Sequence, residues 1–158
     1  MTTKQFLPLP YGKDVYSELK GNGCYFVDKT PYLKELIDKD KSNVMLFTRP
    51  RRFGKTLFMS MVEYFLKIYS ANPGDTILQQ KLFKDTKILE DREFCAKYMG
   101  QHPVISLTLK GVQGVDFEDA YYKLAEVVSA KANEYSFLKD SPSLDEKEKA
   151  KFEKLCDE

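Results

Sequence analysis

The feature that most constrains the fold is the stretch from Val44 to Tyr69. It begins with four consecutive apolar residues, Val44 to Phe47, which is typical of a strand buried on both faces of a parallel sheet. A loop, TRPRRFG, occupies residues 48–54. From Lys55 to about Tyr69, apolar residues recur at helical spacing and cover one broad face. The order therefore predicts a strand, a glycine-containing loop and a helix.

Similar patterns recur on both sides of this stretch. The aromatic and β-branched residues at 25–27 and 104–109 predict two more strands. Thr30 and Pro31 predict the start of a helix, and Asp116 predicts the cap of a long one reaching about Tyr135. Weaker helical patterns cover 77–83 and 90–98, whereas 1–24 read as loop. Strands alternating with helices favour an α/β fold.

Composition removes several classes of function. The 158 residues carry 25 basic and 24 acidic side chains, so no global field attracts nucleic acid or a membrane. Three scattered cysteines (Cys24, Cys95, Cys156) and the single His102 provide neither a disulfide framework nor a zinc site. No secretory signal is present, and the apolar runs are far shorter than the about 20 residues that span a bilayer. We therefore expect a cytoplasmic protein without membrane partners.

The tripeptide Gly54-Lys55-Thr56 matches the end of the phosphate-loop pattern GxxxxGK[ST], although Arg49 stands where the first glycine belongs. A loop that enters a helix presents free backbone N–H groups and the positive end of the helix dipole. On this reading, Lys55 contacts the outer phosphates and the Thr56 hydroxyl binds Mg²⁺. The competing interpretation is that the tripeptide simply opens an ordinary helix.

A larger set of residues resembles a known family. The segments FTRPRRFGKTLFMSMVEYF (47–65) and YFVDKT (25–30) resemble the bacterial AAA-ATPase-like family, most of whose members are uncharacterised. Leu82-Phe83 and PVISL (103–107) resemble later landmarks of that family, in the expected order. Arginine-proline at the start of the loop is usual in the family, so Arg49 departs from the general motif but not from the family.

The resemblance implies a P-loop NTPase-like, three-layer α/β/α fold with a mainly parallel sheet, incomplete in this chain. It implies binding of ATP and Mg²⁺, with Thr56 as the metal ligand and no catalytic residue identified. The nucleotide-binding residues would be Arg51, Arg52, Phe53, Gly54, Lys55 and Thr56.

Hydrolysis also needs an acidic residue that helps to hold Mg²⁺ and to orient water. The nearest match, Ile88-Leu89-Glu90-Asp91, looks like a helix start rather than the end of an apolar strand. We therefore expect residues 1–158 to be a poor or inactive ATPase. We interpret 1–138 as the N-terminal portion of the ATPase domain and 139–158 as a charged helical or frayed tail. Oligomers are possible in the full-length protein.

Alternatives remain at this stage. The basic cluster beside Phe53 consists of Arg49, Arg51, Arg52 and Lys55. It fits nucleotide binding, pairing of an arginine with a carboxylate while Phe53 packs in the core, or contacts with a nucleic-acid backbone. Residues 28–30 fit either a helix cap or a contact with the base or ribose. The chain could also be a non-catalytic interaction module with a degenerate loop.

Overall fold

The computed structural model describes residues 7–37, 44–69 and 74–157. The chain divides into two compact units, Met1–Val104 and Ile105–Glu158. The predicted boundary between residues 138 and 139 stays a prediction. The first unit contains α1 (Tyr16–Gly21), α2 (Pro31–Ile37), α3 (Lys55–Leu66), α4 (Ile77–Leu82), a 3₁₀ helix (Lys87–Glu90) and α5 (Arg92–Tyr98). The second contains α6 (Phe117–Glu134), a 3₁₀ helix (Ser136–Asp140) and α7 (Glu146–Asp157).

The predicted α/β class is wrong for the described residues, which form helices and no β-strand. The pairing nearest to a sheet among them is an isolated parallel bridge between Lys67 and His102. Residues 44–47 and 105–109 have strand-like sequences but lie in irregular, largely exposed backbone. A strand requires a hydrogen-bonded neighbour, and neither segment pairs as a strand with another segment among the described residues. The three-layer sheet expected from the family resemblance is therefore not observed in residues 7–37, 44–69 and 74–157.

Most of the helix predictions are confirmed. The helix expected from Lys55 forms as α3 but ends at Leu66, because Lys67 turns to extended backbone (φ −68°, ψ 135°). The helices expected near 77–83, 90–98 and 116–135 are confirmed as α4, α5 and α6. Asp116 caps α6 by accepting a hydrogen bond from the Asp119 N–H (2.9 Å). The predicted loop over the first 24 residues is wrong where α1 forms.

The core of the first unit is built around the apolar face of α3. The Phe65 ring lies 5.4 Å from that of Phe83 and 5.8 Å from that of Phe94, measured between centroids. Tyr16 of α1 packs on Phe83 at 4.9 Å. The buried core residues are Tyr16, Leu33, Phe58, Met61, Phe65, Leu82, Phe83, Ile88, Phe94 and Met99. Because this core anchors α3, it also determines where the loop before α3 lies.

Candidate functional site

The loop that precedes α3 is closed by three contacts. The Phe47 ring stacks on the Phe58 ring of α3 at a centroid distance of 5.1 Å. The Arg49 guanidinium lies 5.8 Å from the centre of the Phe47 ring, within the range of a cation–π contact. The Lys55 Nζ donates a hydrogen bond to the Arg49 carbonyl oxygen at 2.6 Å. Both ends of the loop are therefore tied to the start of the helix.

Two residues of the loop adopt left-handed backbone. Gly54, the N-cap of α3, has φ 73° and ψ 28°, and Arg52 has φ 68°. A Cβ at Gly54 would meet no atom within 4 Å, so the backbone angle and not crowding favours glycine there. Left-handed backbone at a non-glycine residue such as Arg52 is uncommon, and such strain concentrates at functional sites. The loop is thus held in a defined, partly strained shape.

The turn into α3 leaves a run of unsatisfied donors. In the described part of the chain, the backbone N–H groups of residues 52–56 donate no hydrogen bond. The first bond of α3 runs from the Phe58 N–H to the Gly54 carbonyl oxygen (2.9 Å). Free N–H groups at a helix N-terminus carry the positive end of the helix dipole and bind anions readily.

The loop borders an open cavity of about 730 Å³, here called the loop cavity. Its lining includes five of the six residues predicted to bind nucleotide, namely Arg51, Arg52, Gly54, Lys55 and Thr56. The sixth, Phe53, does not line the cavity and is 60% exposed. This exposure argues against the alternative in which Phe53 packs in the core, and its part in nucleotide binding stays a prediction.

A further wall of the loop cavity is formed by a segment that no sequence pattern predicted. It consists of residues 10–14, among which Lys13 and Asp14 are charged. This segment is held there because α1 docks on α3: the Tyr16 N–H donates to the Ser60 Oγ (2.7 Å) and the Ser17 Oγ donates to the Tyr64 hydroxyl (2.9 Å). Pro10 and Gly12 indicated only a turn, and no local pattern could place it against a loop 40 residues later.

The electrostatics of the loop cavity favour an anion. Four cationic side chains line it against one carboxylate, that of Asp14. Among the described residues, no ion pair involves Arg49, Arg51 or Arg52. The hypothesis that these arginines serve structural ion pairs therefore finds no support in this part of the chain.

Residues 28–30 have a structural role that neither sequence hypothesis included. The Asp28 carboxylate accepts hydrogen bonds from the Lys87 N–H (2.8 Å) and from the Thr30 hydroxyl (2.7 Å) and N–H (2.9 Å). The buried Thr30 hydroxyl in turn accepts from the Ile88 N–H at 3.2 Å, rather than from the first turn of α2. Burial would raise the pKa of Asp28, but these hydrogen bonds outweigh it and lower the pKa. The segment holds the 3₁₀ helix 87–90 in place.

Residues 88–91, the nearest match to an acidic strand, also have a structural role. Asp91 caps α5 by accepting from the Phe94 N–H (3.0 Å) and pairs with the Lys34 Nζ (2.5 Å). The interpretation of residues 88–91 as a helix start is confirmed. His102 lies in the bridge to Lys67. Within the described residues, no cluster of three or more His, Cys, Asp or Glu side chains could hold a metal ion.

Comparison with known proteins identifies the family to which the chain belongs. Residues 10–158 match the model of the AAA-ATPase-like family, described as predicted AAA-ATPase. The chain therefore belongs to this family, as the loop and the YFVDKT segment indicated. It is 26% identical over 122 residues to an uncharacterised protein encoded in the vnfD 5′ region of Azotobacter chroococcum mcd 1. That match covers 77% of this chain and 20% of the relative, so the chain spans about a fifth of the relative's length. No solved structure matches.

None of the described helices is both long and apolar enough to cross a membrane.

Proposed function

We propose that this chain binds the polyphosphate of Mg-ATP in the loop cavity, as the nucleotide-binding part of a predicted ATPase. The observation that carries the proposal is the run of free N–H groups at residues 52–56, next to a cavity lined by four cations. A triphosphate satisfies these donors with several oxygens, and its negative charge offsets the clustered positive charge. Membership of a predicted AAA-ATPase family supports the same conclusion.

Lys55 is the side chain proposed to reach the outer phosphates. Its Nζ is exposed and donates to a neutral acceptor, the Arg49 carbonyl. Because a phosphate oxygen carries charge, it is a stronger acceptor and would replace that carbonyl. Arg51, Arg52 and Lys13 would supply further charge around the phosphates.

The residues of the cavity fit a magnesium ion that travels with the nucleotide. Mg²⁺ prefers oxygen ligands and is usually held by one or two carboxylates together with substrate phosphates. Asp14 and Thr56 both line the loop cavity, and a carboxylate and a hydroxyl are oxygen ligands of this kind. The metal would neutralise phosphate charge. Turnover would also need an acidic residue that helps to hold Mg²⁺ and to orient water. Asp91, in the nearest match to an acidic strand, instead caps α5 and pairs with Lys34. We therefore propose nucleotide binding rather than turnover for residues 1–158.

Isothermal titration calorimetry with ATP and Mg²⁺ tests the proposal. We expect saturable binding by the wild type and a loss of at least tenfold in affinity for Lys55→Ala. The matched control is Lys81→Ala, which removes an exposed lysine of α4 that does not line the loop cavity. Absence of binding by the wild type, or equal affinities for Lys55→Ala and the wild type, would refute the proposal and favour a non-catalytic module.

A second candidate function is supported by Phe53. This aromatic side chain is 60% exposed and lies beside arginines without ion-pair partners in the described residues. An exposed aromatic ring next to arginines can stack on a base of single-stranded nucleic acid. Fluorescence anisotropy with labelled single-stranded DNA and RNA tests this: affinity should fall steeply with salt, and Arg51→Ala/Arg52→Ala should weaken it. Lack of binding at low salt would eliminate this function.

A further inference from the structure

A second, smaller cavity adjoins the loop cavity. Its volume is about 190 Å³, and we call it the apolar slot. It shares Pro10, Gly54 and Leu57 with the lining of the loop cavity. The two cavities therefore meet at the N-terminus of α3, where the free N–H groups lie. The remaining lining residues of the apolar slot are Leu19, Tyr25, Phe26, Val27, Lys29, Phe58 and Met61.

The chemistry of the apolar slot is opposite to that of the loop cavity. Lys29 is its one charged lining residue, and the others are apolar or aromatic apart from Gly54. Its volume is below the about 300–1,000 Å³ of pockets that hold whole ligands. The slot thus suits an uncharged, largely apolar portion of a ligand whose charged portion lies elsewhere.

The walls of the slot are held by the core. The Phe26 ring packs edge-on against the Tyr16 ring at a centroid distance of 5.6 Å, and the Lys20 Nζ lies 5.8 Å from its centre. Phe58 and Met61 belong to the buried face of α3. Tyr25 and Val27, in contrast, are 53% and 58% exposed at the rim. A ligand entering the slot would cover apolar surface that water now contacts, and burial of such surface favours binding.

The backbone beside the slot has unused hydrogen-bonding groups. Within the described residues, the N–H and carbonyl groups of Phe26 and Val27 have no hydrogen-bond partner. A nucleobase edge combines donors with acceptors, and an exposed peptide group supplies the complementary pair. The same segment thus provides both apolar contact and hydrogen bonds for a base.

We infer that the apolar slot seats the base of the nucleotide whose phosphates lie against residues 52–56. This inference rests on the proposed function and assigns the remainder of the ligand. It gives the YFV part of the 25–30 segment a binding role, whereas Asp28 and Thr30 hold the 3₁₀ helix. The apolar slot matches the base of a nucleoside triphosphate, and the adjoining cationic loop cavity matches its phosphates.

The test compares Mg-ATP with Mg-tripolyphosphate, which has the phosphates but no base, by calorimetry. The wild type should bind ATP more tightly than tripolyphosphate. Tyr25→Ala should weaken ATP binding about tenfold, in line with losing an aromatic contact to a base, and leave tripolyphosphate binding unchanged. Tyr32→Ala is the matched control, because Tyr32 is similarly exposed (56%) but lies outside the slot.

The outcomes separate this inference from the proposed function. Equal affinity of the wild type for ATP and tripolyphosphate would overturn the base site while leaving phosphate binding intact. An unchanged ATP affinity in Tyr25→Ala would likewise overturn the base site and leave phosphate binding intact. If neither compound binds, the proposed function itself fails. Retained tripolyphosphate binding also shows that the Tyr25→Ala protein is folded, so a loss confined to ATP supports the inference.

Discussion

Replacing Gly54 by alanine tests whether the backbone of the loop is the reason for its glycine. Gly54 has φ 73° and ψ 28°, and a left-handed conformation costs an L-residue about 1–2 kcal/mol. Because an added Cβ would meet no atom within 4 Å, no steric cost adds to this value. The free energy of unfolding should therefore fall by about 1–2 kcal/mol.

Thermal and urea unfolding monitored by circular dichroism measure this change. For a chain of 158 residues, 1 kcal/mol corresponds to about 2–4 °C in melting temperature, so we expect a decrease of about 2–8 °C. Gly54→Asn should lose less stability than Gly54→Ala, because asparagine tolerates left-handed backbone better. Mg-ATP affinity should follow the same order, because the angle at Gly54 orients the neighbouring N–H groups.

Gly21→Ala is the matched control. Gly21 also has open space around the position of a Cβ, but it lies at the end of α1 and has no positive φ. Alanine there should leave stability unchanged or raise it by up to about 0.5–1 kcal/mol. A Gly54→Ala protein as stable as the wild type, or equal effects of the Ala and Asn substitutions, would refute the argument that backbone angle determines the residue.

Three further predictions concern the framework of the site. Phe65→Ala, at a fully buried position of α3, should cost about 3–5 kcal/mol in urea unfolding, whereas Met59→Ala on the exposed side should cost under about 1 kcal/mol. Asp116→Ala should lower stability by about 0.5–2 kcal/mol through loss of the α6 cap, with Asp116→Asn retaining most of it. The lowered pKa of Asp28 means that its ionised form stabilises the fold above its unfolded pKa of about 3.9. That contribution is lost as pH falls through the folded pKa, so the stability difference between wild type and Asp28→Asn should shrink below about pH 4; a difference independent of pH would contradict it.

The local features of the site could be read from the sequence. Gly54, Lys55 and Thr56 mark a loop entering a helix, and α3 begins at Lys55 as the pattern predicts. Asp116 identifies the start of α6 in the same way. These predictions succeed because helix starts and amphipathic faces depend on residues within a few positions of one another.

The strand predictions failed for the opposite reason. Val44 to Phe47 has the composition of a buried strand, yet these residues lie exposed in irregular backbone. A strand depends on a partner that is distant in sequence, and composition does not specify that partner. The α/β prediction inferred a sheet from segments whose pairing was never observable in the sequence.

The sequence alone therefore determined most of the helices, though not α1, together with the phosphate-loop candidate and membership of the AAA-ATPase-like family. Only the tertiary structure decided that residues 10–14 form the second wall of the loop cavity and that Tyr25 to Val27 line the adjoining slot. It also decided that Asp28 and Thr30 hold residues 87–88. Helix formation is governed by neighbours along the chain, whereas these cavities result from packing α1 and the core against α3, which joins residues tens of positions apart.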